Sequence, residues 1–344
     1  MCPKKIHKIA TDNSPIQGLS GKHILVTGAG GFIGSHLVEF LCSQGARVTA
    51  LFRYTSGASL GALEGSPALG KIKKQFGDIR DPETCLRAVK AQDIIVHLAA
   101  QIAIPYSYLS PRDFVDVNVS GTTNLLQSAL GVKSLKRFVV VSSSEVYGSA
   151  QYTPIDEAHP LCPQSPYAAS KVAADKMAES YHKSFGLPLT IVRPFNTYGP
   201  RQSPRAIVPT IICQALGSSK LKLGSTAPKR DFLYVKDTVR GMALAAVSSK
   251  TLGETINLCS GAEISVRELA ARIGALVGKK LTITRAVRRV RPKNSEIIRL
   301  LGDGKKAARL CGFQAEYSLD DGLPETIDYY RIRNVTLSAE DYCI

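Results

Sequence analysis

A doubly wound, parallel α/β sheet carrying a smaller C-terminal lobe is the fold this sequence predicts, and three observations predict it. Short β-branched runs alternate with helix-forming segments as far as residue 193, the pattern of right-handed strand–helix–strand units. Glycines at 28, 31 and 34 sit between the first such run and the first apolar helix. Beyond residue 194 the alternation loosens, with short strands near Leu221, Phe232 and Ile256 and no clean linker. The expected organisation is a poorly ordered leader over 1–20 and a dinucleotide-binding sheet domain over 21–193. Parts of about 232–260 return to that domain, and 194–344 form mainly a substrate-binding lobe over the strand C-termini.

Composition narrows the class. The chain has 344 residues, 44% of them hydrophobic, enough for a sizeable core. No apolar run reaches the roughly 18 residues of a membrane span. The N-terminal stretch Met1-Cys2-Pro3-Lys4-Lys5-Ile6-His7 lacks the apolar centre of a secretory signal. Eight cysteines are scattered singly without a C-x-x-C pair, so thiols of a reducing, cytoplasmic compartment are expected and a metal site is not. The net charge is +16, and between Lys279 and Arg309 eleven basic residues face only Glu296 and Asp303, a local +9. A solvated basic face and a site for an anionic small molecule, such as a nucleotide diphosphate, both account for this. A nucleic-acid partner fits poorly, because no aromatic stacking residues interleave the charges.

Taken in order, His23–Thr27 reads as a buried strand, followed by Gly28-Ala29-Gly30-Gly31-Phe32-Ile33-Gly34 and an apolar helix from Ser35 to Ser43. Such glycines allow a tight turn, close approach of backbone to a pyrophosphate, and helix–strand contact, while the helix N-terminus offers N–H groups to phosphate. Gly28, Gly31, Phe32, Ile33 and Gly34 are therefore assigned to a dinucleotide, in the manner of a Rossmann fold. The second strand, Ala46 to Phe52, ends in Arg53-Tyr54-Thr55-Ser56, with no acid to hold a ribose 2′-hydroxyl. Arg53 suits a 2′-phosphate, tilting the cofactor from NAD toward NADP, or else stacks on adenine. Asp78, beside Ile79, suits the adenine amino group or a helix N-cap, and Asp81 before Pro82 looks like such a cap. Ile94 to Ala100 is a fourth strand whose end, Leu98-Ala99-Ala100, lets a cofactor pass close. His97 within it reads as a satisfied core residue. Helices over about 111–130 and 167–185 are longer than covering the sheet requires and are expected to pair in a homodimer.

Chemistry concentrates after the fifth strand. The run Val139-Val140-Val141 stops at Ser142-Ser143-Ser144-Glu145, and Pro166-Tyr167-Ala168-Ala169-Ser170-Lys171 opens an Ala-rich helix. Positions i and i+4 share a helix face, so Tyr167 and Lys171 point together. A phenol titrates near pH 10, and a cation beside it lowers that value. With the Ser143 hydroxyl opposite, the pair can take a proton from an alcohol as hydride leaves the same carbon. Glu145 is either a base or a strand-end carboxylate satisfied by backbone N–H groups.

These clusters, with Arg193-Pro194-Phe195-Asn196-Thr197-Tyr198-Gly199-Pro200, resemble the extended short-chain dehydrogenase/reductases over about residues 21–334. The closer resemblance is to 4,6-dehydratases of N-acetylglucosamine nucleotides, of the legionaminic-acid-pathway type. It rests on Pro194–Ser203, Val208-Pro209-Thr210, Arg230–Asp237 and Arg291–Glu296. That resemblance implies oxidation of the sugar C4 hydroxyl by Tyr167, Lys171 and Ser143, removal of the C5 proton by Glu145, loss of water from C6 and return of hydride there. The NAD(P)+ would be regenerated each turnover and stay bound. It also implies Pro194 against the cofactor and Gln101, Asn196, Arg205, Val208, Arg230 and Arg291 against a UDP- or GDP-sugar. Many sugar dehydratases carry Thr-Asp-Glu where this chain has Ser143-Ser144-Glu145, so Ser144 relays a proton or Glu145 serves both steps. Simple 4-epimerases generally lack that Glu, whereas UDP-glucuronate decarboxylases and GDP-mannose dehydratases carry a similar Ser-Glu pair, so the pair does not separate elimination at C6 from loss of CO2. A 5,6-dehydratase and a non-catalytic dinucleotide-binding scaffold are the remaining alternatives.

Overall fold

The computed structural model describes residues 15–287 and 292–336. Its strands, in chain order, are β1 (His23–Thr27), β2 (Arg47–Arg53), β3 (Lys73–Gly77), β4 (Ile94–His97), β5 (Arg137–Val141), β6 (Leu189–Pro194), β7 (Asn196–Tyr198), β8 (Lys220–Leu223), β9 (Lys229–Tyr234), β10 (Thr255–Leu258), β11 (Glu263–Ser265), β12 (Thr282–Arg285) and β13 (Arg299–Leu300). Seven of them form one parallel sheet in the order β3-β2-β1-β4-β5-β6-β10. Both faces of such a sheet are covered, so its central strands carry apolar residues at successive positions rather than alternately. Ile24 and Val26 face one layer with Leu37 and Val38, while Leu25 faces the other with Cys85 and Leu125. The strand order reverses between β1 and β4, the switch point where ligands bind outside the carboxyl ends of the strands.

Helices Phe32–Ser43 and Val235–Val247 lie on one face. On the other lie Pro82–Val89, a helix over 111–129, and Pro166–Phe185. The 111–129 helix carries a π-helical segment, Val115–Gly121, that sequence spacing does not reveal. Beyond β6 a second sheet forms as β11-β9-β13 with β7 also on β9, and β8 pairs with β12. β10 belongs to the main sheet through its pairing with β6.

Two expectations are corrected. The first helix starts at Phe32, because Gly31 is its N-cap and Gly34 already lies within it. The expected leader is not loose over its last residues: Leu19 is fully buried in the main core, and the Ile16 N–H donates to Gln44 Oε1 at 2.7 Å. An apolar side chain next to the edge of β1 gains more from burial than an unstructured tail retains in entropy. Among the described residues no helix is long and apolar enough to cross a membrane.

Candidate active site

The glycine turn is built as the phosphate cradle requires. Gly28 adopts φ +69°, and a Cβ there would stand 2.8 Å from the Ala99 nitrogen. At Gly34 a Cβ would stand 2.2 Å from the Gly28 carbonyl oxygen. No side chain caps the helix that Gly31 begins, so the N–H groups of its first turn are left for a ligand. A dinucleotide pyrophosphate fits this cradle, where any side chain would close it. Phe32 and Ile33 pack partly buried against the core, and Leu98, Ala99 and Ala100 follow β4 as half-buried residues across the turn.

The end of β4 is locked from beneath. The Ala99 N–H donates to Thr27 Oγ1 at 3.1 Å, and Thr27 Oγ1 lies 2.7 Å from His97 Nδ1. His97 Nε2 lies 3.0 Å from Thr122 Oγ1, which donates to the Asn118 carbonyl at 2.6 Å. Thr122 has spent its proton on that carbonyl, so His97 Nε2 must carry the proton and Nδ1 accept from Thr27. Burial and the Lys171 charge push the imidazole down to about 3. His97 is thus a neutral core residue, as its apolar run predicts.

At the rim, Arg53 ends β2 opposite Gly77 and is 70% exposed at its side chain, with Nε 4.0 Å from Asp78 Oδ2. Asp78 is gripped more closely by Arg80, through Nε at 3.0 and 3.1 Å and Nη2 at 2.6 Å. That contact, more than any other, holds its carboxyl below the ordinary range. Asp81, not Asp78, caps the next helix, accepting from the N–H groups of Glu83 and Thr84. The Ile79 side chain is buried, and its carbonyl accepts from Asn124 Nδ2.

The assigned catalytic side chains converge above β5. Ser165 caps the helix Pro166–Phe185 by accepting from the Ala168 N–H at 3.1 Å, and Pro166 takes the first position. Tyr167 therefore falls in the first turn, 8% exposed, its ring edge-to-face with Phe114 at 6.2 Å. Burial pushes its phenol up to about 12. The Ser143 hydroxyl works the other way, and the Glu145 and Asp175 charges add to the rise. Ser143 also accepts from the Glu145 N–H at 3.2 Å, which opens a short 3₁₀ turn holding Ser144 and Glu145 nearly buried. One turn on, Lys171 Nζ donates to the Val141 carbonyl at 2.7 Å. Burial draws its ammonium down to about 8, opposed by Asp175.

Substrate-side assignments divide. Asn196 and Arg230 come together on paired strands, Asn196 opposite Phe232, with Asn196 Nδ2 3.4 Å from the Asp231 carbonyl. Arg230 is nearly buried, Nη2 3.6 Å from Glu296 Oε1. Pro194 ends β6, buried beside β10. Gln101 is clamped at both backbone groups by Asn118, whose Oδ1 accepts from its N–H at 2.8 Å and whose Nδ2 donates to its carbonyl at 3.0 Å. Asn118 also reaches Ser170 Oγ at 2.9 Å. It lies on the π-helical segment, a feature that often marks functional sites, and no spacing in the sequence singles it out. Arg205 stands exposed, with Nε 3.2 Å from Ser203 Oγ. Val208 is corrected: at 1% exposure it packs into the main core and presents no side chain to a ligand, because the helix Ile207–Gly217 that carries it is buried along most of its length. Arg291 lies outside the described residues.

The sequence profile described as GDP-mannose 4,6 dehydratase matches residues 25–326. The chain belongs to that family. Within this extended short-chain dehydrogenase/reductase group it is 36% identical over 318 residues to a dTDP-glucose 4,6-dehydratase of Streptomyces griseus, covering 90% of this chain and 94% of that protein. It is 32% identical to a putative UDP-glucose 4-epimerase of Methanocaldococcus jannaschii, over 91% of this chain and 100% of that one. Among solved structures it is similar to DesIV, a dTDP-glucose 4,6-dehydratase from Streptomyces venezuelae with NAD and TYD bound. The TM-score is 0.82 with 33% identity, covering 91% of this chain and 98% of that one. It is also similar to a UDP-glucuronic acid 4-epimerase from Bacillus cereus in complex with UDP-glucuronic acid and NAD, at TM-score 0.81 and 28% identity over 90% and 99% of the two chains.

Proposed function

We propose that this chain is a nucleotide-sugar 4,6-dehydratase that turns an NDP-hexose into the NDP-4-keto-6-deoxy sugar. The observation that carries the proposal is the placement of Glu145: it lies 8% exposed in the short turn after β5, its N–H donating to Ser143 Oγ at 3.2 Å, and its charge reaches the Tyr167 phenol, so a carboxylate and a phenol share one nearly buried site. The dehydratases among the relatives above support the same reaction class. Gly28, Gly31, Gly34, Ala99 and the first turn of the helix after Gly31 would hold a nicotinamide dinucleotide, which accepts hydride from the sugar and returns it. Tyr167 takes the proton of the C4 hydroxyl, with the Lys171 ammonium and the Ser143 hydroxyl favouring its phenolate. Glu145 takes the C5 proton, made acidic by the new C4 ketone, and hydroxide leaves C6 as water with a proton delivered at that end of the site. With Ser144 in place of the usual Asp, either Ser144 relays a proton to the departing C6 hydroxyl or Glu145 serves in both proton transfers. Asn196, Arg230 and Arg291 are assigned to the sugar nucleotide, Arg230 sharing its guanidinium with Glu296.

N-acetylglucosamine nucleotides are the proposed substrates, on the motif resemblance over 194–203 and 291–296. Arg53, held loosely by Asp78, is free for a 2′-phosphate, which favours NADP over the NAD named for the neighbours. A homodimer through the 111–129 and 166–185 helices, and a substrate lobe built mainly from residues after 194, complete the proposal. The test is incubation with UDP- and GDP-N-acetylglucosamine, dTDP-glucose and GDP-mannose, with mass spectrometry of the products. A product lighter by one water supports the dehydratase. A 4-epimer of unchanged mass, the activity named for some of the relatives, or loss of CO2 from UDP-glucuronate in a parallel incubation overturns it.

A further inference from the structure

Asp175 takes no part in the proposed chemistry, yet it is a fully buried acid four residues beyond Lys171 on the same helix. Positions i and i+4 stack on one face, so the carboxylate lies one turn below the ammonium. Its Oδ2 accepts from Arg193 Nε at 3.1 Å and Nη2 at 3.0 Å, in a pair whose side chains are 0% and 3% exposed. Arg193 is held in turn: Nη1 donates to the Tyr147 hydroxyl at 3.0 Å, and that hydroxyl donates to Asn257 Oδ1 at 2.8 Å. Asp175 Oδ1 is buried facing the Ser142 hydroxyl, away from the arginine. A buried carboxylate acts on a neighbouring charge through a low-dielectric interior, where the interaction is little screened. The Lys171 ammonium itself donates to a neutral group, the Val141 carbonyl.

We infer that Asp175, itself held by Arg193, is the fixed counter-charge that keeps Lys171 an ammonium beneath Tyr167. Asp175 is thus a positioning residue for the proton transfer, acting through Lys171 and touching neither substrate nor cofactor. The inference rests on the roles proposed above for Tyr167 and Lys171. Among the described residues, His97 from β4 and Asp175 from its own helix interact with the Lys171 charge; Arg193 from β6 pairs with Asp175, and Glu145 from the turn after β5 acts on Tyr167, one turn away. Of these His97 stays neutral, and Asp175 opposes the loss of the Lys171 proton.

The test reads Lys171 directly, by NMR titration of protein carrying isotope-labelled lysine, with Lys171→Met to assign the signal. In the parent the Lys171 side chain is expected to titrate near pH 8. In Asp175→Asn it should titrate at least about one pH unit lower, a tenfold rise in its acid dissociation constant. The alkaline limb of kcat should move down with it, and Asp175→Glu should restore both. Asn leaves Arg193 buried without a carboxylate, so the double variant Asp175→Asn with Arg193→Met, which buries no lone charge, is measured alongside and should shift Lys171 the same way. A titration unchanged from the parent in both variants overturns the inference, even if the enzyme turns over sugar. A shifted Lys171 in a protein that dehydrates none of the nucleotide sugars leaves the inference standing and sinks the proposed activity instead.

Discussion

At Tyr167 burial and hydrogen bonding pull in opposite directions, and burial wins: the phenol sits at about 12 in the protein by itself. Positive charge therefore has to favour the phenolate, from the Lys171 ammonium and from an oxidised nicotinamide when bound. Tyr167→Phe removes the proposed proton acceptor and is expected to lower kcat by about 10²–10⁴-fold while leaving dinucleotide binding intact in a fluorescence titration. Glu145→Gln should stop turnover after the first oxidation, so reduced-nicotinamide absorbance should accumulate when substrate is added; unchanged elimination would move the C5 base elsewhere. His97 carries a prediction of its own. Its imidazole is held at about 3 against an ordinary 6.5, so below pH 6.5 the unfolded chain binds a proton that the folded one refuses. The stability it contributes is complete above pH 6.5 and drains away as pH falls toward 3, by up to about 1.4 kcal/mol per pH unit. Asp175 and Asp231, raised by burial, act with the opposite sign. The measurement is thus the difference in denaturation midpoint between parent and His97→Gln, which should shrink the acid limb.

Among the elements, the helix Pro166–Phe185 decides most. Its start is set by Ser165 and Pro166 and its end by Gly186 at φ +68°, and that start fixes the turn in which Tyr167 faces Ser143. Ser165→Ala should cost about 1 kcal/mol of stability, read as a lower denaturant midpoint. The acid limb of kcat should move as well, because the same cap orients Tyr167. The 111–129 helix is set differently. Its π-helical segment turns Asn118 inward to hold Gln101 and Ser170 together, which ties the loop after β4 to the helix bearing Tyr167. Helix propensity places both helices correctly, but a π turn depends on what the extra residue finds to bond, and that partner lies 17 residues away in the chain at Gln101.

For the whole molecule, the main sheet and the lobe after β6, to which the dinucleotide and the sugar nucleotide are respectively assigned, are joined by chain crossings rather than by a linker. β10 returns to the main sheet, and Arg201, at φ +70°, pairs through both guanidinium nitrogens with Glu39 of the first helix at 2.9 Å. A ligand bound to the folded state alone should therefore stabilise the entire unit in one transition. Saturation at a hundredfold over Kd adds about 2.7 kcal/mol, visible as a single shifted melting curve. Arg53→Ala should reduce the shift given by NADP much more than that given by NAD. Equal losses with both would place Arg53 on the adenine face instead.

The alternating strands and helices, the glycine turn, the Tyr167–Lys171 spacing and the neutral core role of His97 were legible in the chain alone, because each depends on local geometry: a period, a missing Cβ, a helical repeat. Asn118, the Asp175–Arg193 pair, the buried place of Val208 and the packing of Leu19 were decided only by tertiary structure. A side chain's proton affinity and exposure depend on what surrounds it in space, and those neighbours come from strands and helices far apart in sequence.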